Sequence, residues 1–125
     1  MAKNRVTSID SRFEAAVPEG TQSGWPVMVL GGTVPAVAQT NEGEGVGNVA
    51  GRASVDTEGI HAFPCADAVA AEETAVYVGT DGAVTTDDAD GEVFGYTIHM
   101  PSPVGRAGGT KAAGEGTVNV RLRKA

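Results

Sequence analysis

The sequence is poor in several things, and each shortage closes off a class of protein. It has one cysteine, Cys65, so no disulfide can form within the chain. A disulfide-stapled mini-domain is thereby excluded, and stability has to come from packing or association. No apolar run approaches the roughly 20 residues of a membrane-spanning helix. The opening stretch MAKNRVTSIDSRF lacks the apolar segment of a secretory signal. The expectation is a soluble protein made in a reducing cytosol. Leucine and isoleucine are scarce, with two Leu and three Ile among 125 residues. Aromatics make up only 5%, too few for a broad stacking surface.

Valine and glycine fill the gap. Seventeen Val dominate the large aliphatic residues. Their branched Cβ suits a pleated strand better than a helix. Eighteen Gly are about twice the average share of roughly 7%, which interrupts helices and supplies tight turns. The composition points to one all-β domain of short strands, a small barrel or sandwich.

Alternation locates about eight of those strands. Residues 1–23 read as an extended N-terminal arm, with a short strand near Arg5–Ile9, and residues 24–125 as the β-domain. Trp25–Leu30 is apolar on both faces, as in a buried strand. Gly31-Gly32 predicts a two-residue hairpin turn into Thr33–Ala38, where Pro35 demands an edge or a bulge. Gln39–Gly51 is a Gly-rich loop. Arg52–Asp56 and Ile60–Pro64 read as a pair joined by Thr57-Glu58-Gly59. Ala66–Glu73 is the one stretch that suits a helix, of two turns at most. Thr74–Gly79 and Ala83–Thr86 follow as strands. In Val93–His99 the alternation sets Phe94, Tyr96 and Ile98 on one face and Gly95 and Thr97 on the other. Residues 101–116 form a second Gly-rich loop. In Thr117–Arg123, Val118, Val120 and Leu122 face inward, opposite Thr117, Asn119, Arg121 and Arg123.

The net charge of −7 conceals an asymmetry. Residues 1–12 and 106–125 carry eight bases against two acids, a net +6. Residues 13–105 carry Arg52 against fourteen acids, a net −13. Such a body is no nucleic-acid surface, which needs a broad basic face. Basic ends suit contact with an oppositely charged protein.

No constellation for chemistry stands out. Aligning Asp90-Gly91 with a calcium loop puts Thr86 and Thr97 where the first and last carboxylates belong, so the Asp87–Glu92 segment reads as an acidic turn. Cys65, His61 and His99 lack zinc-ligand spacing. Cys65 reads as a small buried residue, and His61 as the outer side of a strand. The serines lack a nucleophile elbow. Gly43, Gly45, Gly47 and Gly51 precede no helix, and Glu42 and Glu44 would repel phosphate. Trp25 reads as core. The expectation is a non-enzymatic protein with no catalytic residue, no metal and no cofactor.

The order of these segments resembles a tailed-phage family of small capsid-decoration (head cement) proteins, formerly a domain of unknown function encoded beside head genes. The match runs from Gly24 to Leu122. It takes in Gly24–Leu30 and Val34-Pro35-Ala36-Val37-Ala38, then Ala53–Asp56 with Thr57-Glu58-Gly59-Ile60 and Phe63-Pro64. Ala75-Val76-Tyr77, Gly82-Ala83-Val84-Thr85, Phe94-Gly95-Tyr96 and Val118-Asn119-Val120-Arg121-Leu122 complete it. Glu72-Glu73-Thr74 stands where the family usually has a Gly-Asp turn. The resemblance implies a virion protein on the outer surface of an assembled capsid. Its partner would be the major capsid protein, and it would often be a homotrimer, with no nucleic acid or membrane involved. Charge placement makes Lys3, Arg5, Arg12, Phe13, Arg121 and Arg123 the candidate capsid contacts. The competing reading is a carbohydrate- or host-surface-binding β module displayed on the virion.

Overall fold

A computed structural model describes residues 12–44, 50–88, 91–103 and 105–123. Those residues are all-β, and no helix occurs among them. Eleven short strands replace the eight read from alternation. They are β1 (Arg12–Ala16), β2 (Pro26–Val29), β3 (Val34–Ala38), β4 (Arg52–Asp56), β5 (Ile60–Pro64), β6 (Ala75–Val78), β7 (Val84–Thr85), β8 (Gly95–Thr97), β9 (Met100–Ser102), β10 (Gly105–Ala107) and β11 (Thr117–Leu122). Strands β1-β4-β3-β2 form one sheet and β5-β11-β8-β6-β7 a second, while β9 and β10 make a separate ribbon.

The apolar residues divide between two cores. Phe63, Cys65, Val69, Val76, Val84, Phe94, Val118, Val120 and Leu122 pack against the five-stranded sheet, joined by Val37 and Met28 from the other sheet. Phe63 and Phe94 meet edge to face, with centroids 5.4 Å apart. Ala15, Val17, Val27, Val29, Ala36, Ala53 and Val55 form the second cluster, with Phe13 and Val34 against it. Met28 thus faces one core, and Val27 and Val29 the other. Because successive side chains of a strand point to opposite faces, this explains why Val27, Met28 and Val29 are apolar in succession; Leu30 beyond them is exposed.

Pro35 lies in β3, which is an interior strand rather than an edge. The Ala38 amide donates to the Trp25 carbonyl at 3.0 Å, and this sets the alternation of the β2–β3 ladder. Pro26 and Pro35 then fall at positions whose nitrogens face away from that ladder. The β3–β4 pairing covers only Val37 and Ala38, so Pro35 removes no bond there.

Several expectations are corrected. Residues 12–16 are not arm but strand, paired from Arg12 opposite Asp56 to Ala16 opposite Arg52. Arg5–Ile9 lies outside the described residues. The β2–β3 turn has four residues, Leu30–Thr33, because Val29 pairs with Val34. Strands β4 and β5 do not pair; Thr57–Gly59 carries the chain from one sheet to the other.

Ala66–Glu73 forms no helix. Its Val69 exchanges both backbone hydrogen bonds with Lys111, at 2.9 and 3.0 Å, and Glu73 takes a φ of 68°. The 101–116 loop contains strand residues of the β9–β10 ribbon. Trp25 is half-buried, its indole lying over Gly82.

Strand β8 turns the other way from expectation. Phe94 is buried just before it, but Gly95 and Thr97 are its inward residues and Tyr96 is 43% exposed. Two features allow this. Gly95 sits so close to β11 that a Cβ would collide with the Arg121 carbonyl and the Val120 side chain. The buried Thr97 hydroxyl is satisfied: it accepts from the Thr74 amide at 3.0 Å and donates to the Ala71 carbonyl. His61 is corrected likewise. It shares the face of Phe63, at 6.2 Å between ring centroids, while Ile60 and Ala62 point to solvent.

Candidate functional site

The six contact candidates separate once the chain is folded. Lys3 and Arg5 lie outside the described residues. Arg12 opens β1 opposite Asp56. Phe13 is half-buried and packs on the second core, a role in the fold. Arg121 and Arg123 come together at one cleft of about 540 Å³, lined with Val34, Thr57–Ile60 and Leu122.

The two arginines there do different work. Arg123 is half-buried. Its guanidinium donates to the Val93 carbonyl and the Thr33 carbonyl, both at 2.8 Å, and stands 3.6 Å from Glu92. It therefore ties β11 to the β2–β3 turn. Arg121 is exposed, and no hydrogen bond or ion pair joins its guanidinium to another described residue.

The other cations whose side chains are described are engaged. Arg52 pairs with Glu14. Arg106 donates to the His99 carbonyl near Glu72. The Lys111 ammonium sits among the carbonyls of Asp67, Ala112 and Gly114.

Strand pairing places Arg121 between two exposed apolar residues. Its Cα partner in β5 is Ile60, and in β8 it is Tyr96. Directly paired residues in adjacent strands point to the same face, so Ile60, Arg121 and Tyr96 form a row across the solvent side of the sheet. Ile60 and Tyr96 are 38% and 43% exposed. A depression of about 350 Å³ lies beyond, lined by Glu73, Tyr96, Thr97, Ile98 and Arg121. An unpaired guanidinium flanked by an aliphatic and an aromatic side chain suits a carboxylate on a protein partner. Arg and Tyr are the residue types that carry much of an interface's energy, and apolar neighbours exclude water from the ion pair. Ile60 and Tyr96 were not legible as contacts, since alternation had put Tyr96 beside Phe94.

Cys65, the two histidines, Asp67 and Glu42 are each taken up by the fold. Cys65 is buried. His61 Nε2 lies 3.0 Å from the Glu58 carbonyl, and His99 Nδ1 accepts from the Gly109 amide at 3.0 Å. The Asp67 carboxylate accepts from the Thr86 amide at 2.9 Å and the Thr85 hydroxyl at 2.8 Å. The Thr86 amide foremost, and then the Thr85 hydroxyl, hold its pKa below the usual aspartate value. Glu42 is held low in the same way by the Gly51 amide and then the Gly20 amide. Glu42 thus closes its loop rather than merely repelling anions. Among the described residues, no three His, Cys, Asp or Glu side chains converge as a metal-ligand set.

Compared with protein-family models, with curated proteins and with solved structures, the chain has no significant match.

Proposed function

We propose that this chain is a non-catalytic decoration protein that binds the outside of an assembled tailed-phage capsid and stabilises it. The observation that carries the reading is the Ile60–Arg121–Tyr96 row, an unpaired cation between two exposed apolar residues on an otherwise acidic body. The ordered resemblance of residues 24–122 to capsid-decoration proteins supports the choice of partner, the major capsid protein. A protein that binds only the assembled lattice shifts the assembly equilibrium by mass action. A homotrimer would strengthen the effect by engaging several capsid subunits at once.

The test is to mix the purified chain with heads of the encoding virus prepared without it, and to sediment the particles. Saturable co-sedimentation, with particles that disrupt at higher temperature, is the expected result. Heads that neither retain the chain nor gain stability would overturn the reading. Light scattering on the free protein, expected to give three times the mass of one chain, tests the trimer separately.

A further inference from the structure

The β2–β3 turn carries two unfavourable features on one residue. Leu30 has a φ of 54°, in the left-handed region that L-residues other than Asn and Asp rarely enter. It is also 60% exposed, more than Ile60, Tyr96 or Met100. Gly31 and Gly32 follow with φ of 77° and 82°, so the whole tip is left-handed. Glycine or asparagine at position 30 would hold the same turn with less strain and no apolar side chain in water. Leucine is thus a costly choice for the turn itself, the kind of local strain that accompanies functional positions.

The tip is held in place. The Thr33 hydroxyl donates to the Leu30 carbonyl at 2.9 Å, and the Thr33 amide donates to the Val29 carbonyl at 3.1 Å. Arg123 in turn donates to the Thr33 carbonyl at 2.8 Å. The turn is thus clamped to the end of β11, two residues from Arg121. Val34, which follows Thr33, lines the Arg121 cleft, while Leu30 borders the neighbouring depression with Ala16 and Pro18, so the turn reaches from one to the other.

We infer that Leu30 is a preformed apolar plug that inserts into a socket on the protein partner that Arg121 grips. This rests on the decoration reading. A lipid surface is the poorer occupant. One leucine adds little to membrane anchoring, and the −13 charge of residues 13–105 opposes approach to an anionic bilayer. A rigid turn bearing one aliphatic side chain fits a complementary pocket in a protein, with little ordering left to do on binding.

The test compares wild type, Leu30→Gly and Leu30→Met by thermal melting and by sedimentation with heads prepared without the chain. Leu30→Gly should melt at or above the wild-type midpoint, yet need at least tenfold more protein for half-occupancy. Leu30→Met should stay within about threefold of wild type, since it refills the socket. Wild-type occupancy by Leu30→Gly would overturn the plug and leave the decoration reading standing. So would a Leu30→Gly midpoint well below wild type, which would make the leucine a fold residue. Failure of the wild type itself to bind would overturn both.

Discussion

Arg121 and Arg123 stand two residues apart at the end of β11, and only the guanidinium of Arg123 is bound to its own chain. Arg123 holds the carbonyls of Val93 and Thr33, while Arg121 meets solvent between Ile60 and Tyr96. Identical side chains so close together therefore predict opposite phenotypes.

Arg121→Ala should change the melting temperature far less than Arg123→Ala, because only stem packing on Ile60 and Tyr96, and no side-chain hydrogen bond or ion pair among the described residues, is lost. It should weaken binding to heads at least tenfold, the loss typical of a central interface arginine. Arg123→Ala should cost about 1–2 kcal/mol of folding stability by stripping two carbonyls of their donor. Thermal melts beside sedimentation titrations separate the two effects.

Gly95→Ala should be among the most damaging single-methyl substitutions in the chain. The added Cβ points at the Arg121 carbonyl and the Val120 side chain, so β8 and β11 would have to move apart. Overpacking of this kind costs about 1–3 kcal/mol. Because the shift moves Tyr96 relative to Arg121, binding should fall as well. Urea unfolding, with midpoint and slope both recorded, measures the first effect.

Lys111→Met keeps the aliphatic stem and removes the ammonium from the carbonyls of Asp67, Ala112 and Gly114. The expected cost is about 1–2 kcal/mol, part of it relieved by water at the exposed carbonyls. Amide exchange should rise first at Val69, Lys111 and Gly114, whose backbone bonds join the same two segments. Uniform loss of protection across both sheets would contradict a local clasp.

Asp67 makes stability depend on pH. The Thr86 amide and Thr85 hydroxyl favour its charged form, so its folded pKa lies below the unfolded one. The folded state then binds its proton only at lower pH than the unfolded state. The stabilisation is complete above the ordinary aspartate pKa and is lost as pH falls through the lowered value. Asp67→Asn should melt below wild type at neutral pH, and the gap should close in acid. Melting curves from pH 7 down to about pH 2 check the sign; a gap constant across that range would refute it.

Where side-chain alternation was clean, the strands were legible. The buried set Val118, Val120 and Leu122 in β11 followed from period two alone, and β4 and β5 have the predicted limits. Composition determined the all-β class, because a Val- and Gly-rich chain with little Leu favours pleated strands over helices.

Which strands pair was decided only in three dimensions. Alternation assigns a residue to one of two faces but not to a partner strand, so β4 and β5 looked like a hairpin and yet belong to different sheets. In β8, close approach to β11 at Gly95 and the satisfied hydroxyl of Thr97 override hydrophobicity and turn Tyr96 outward. The sequence by itself determined that Arg121 and Arg123 share a basic strand end. Tertiary structure alone decided which of them is spent on the fold. The carbonyls that bind Arg123 come from positions 30 and 90 residues earlier in the chain, a pairing that no local pattern encodes.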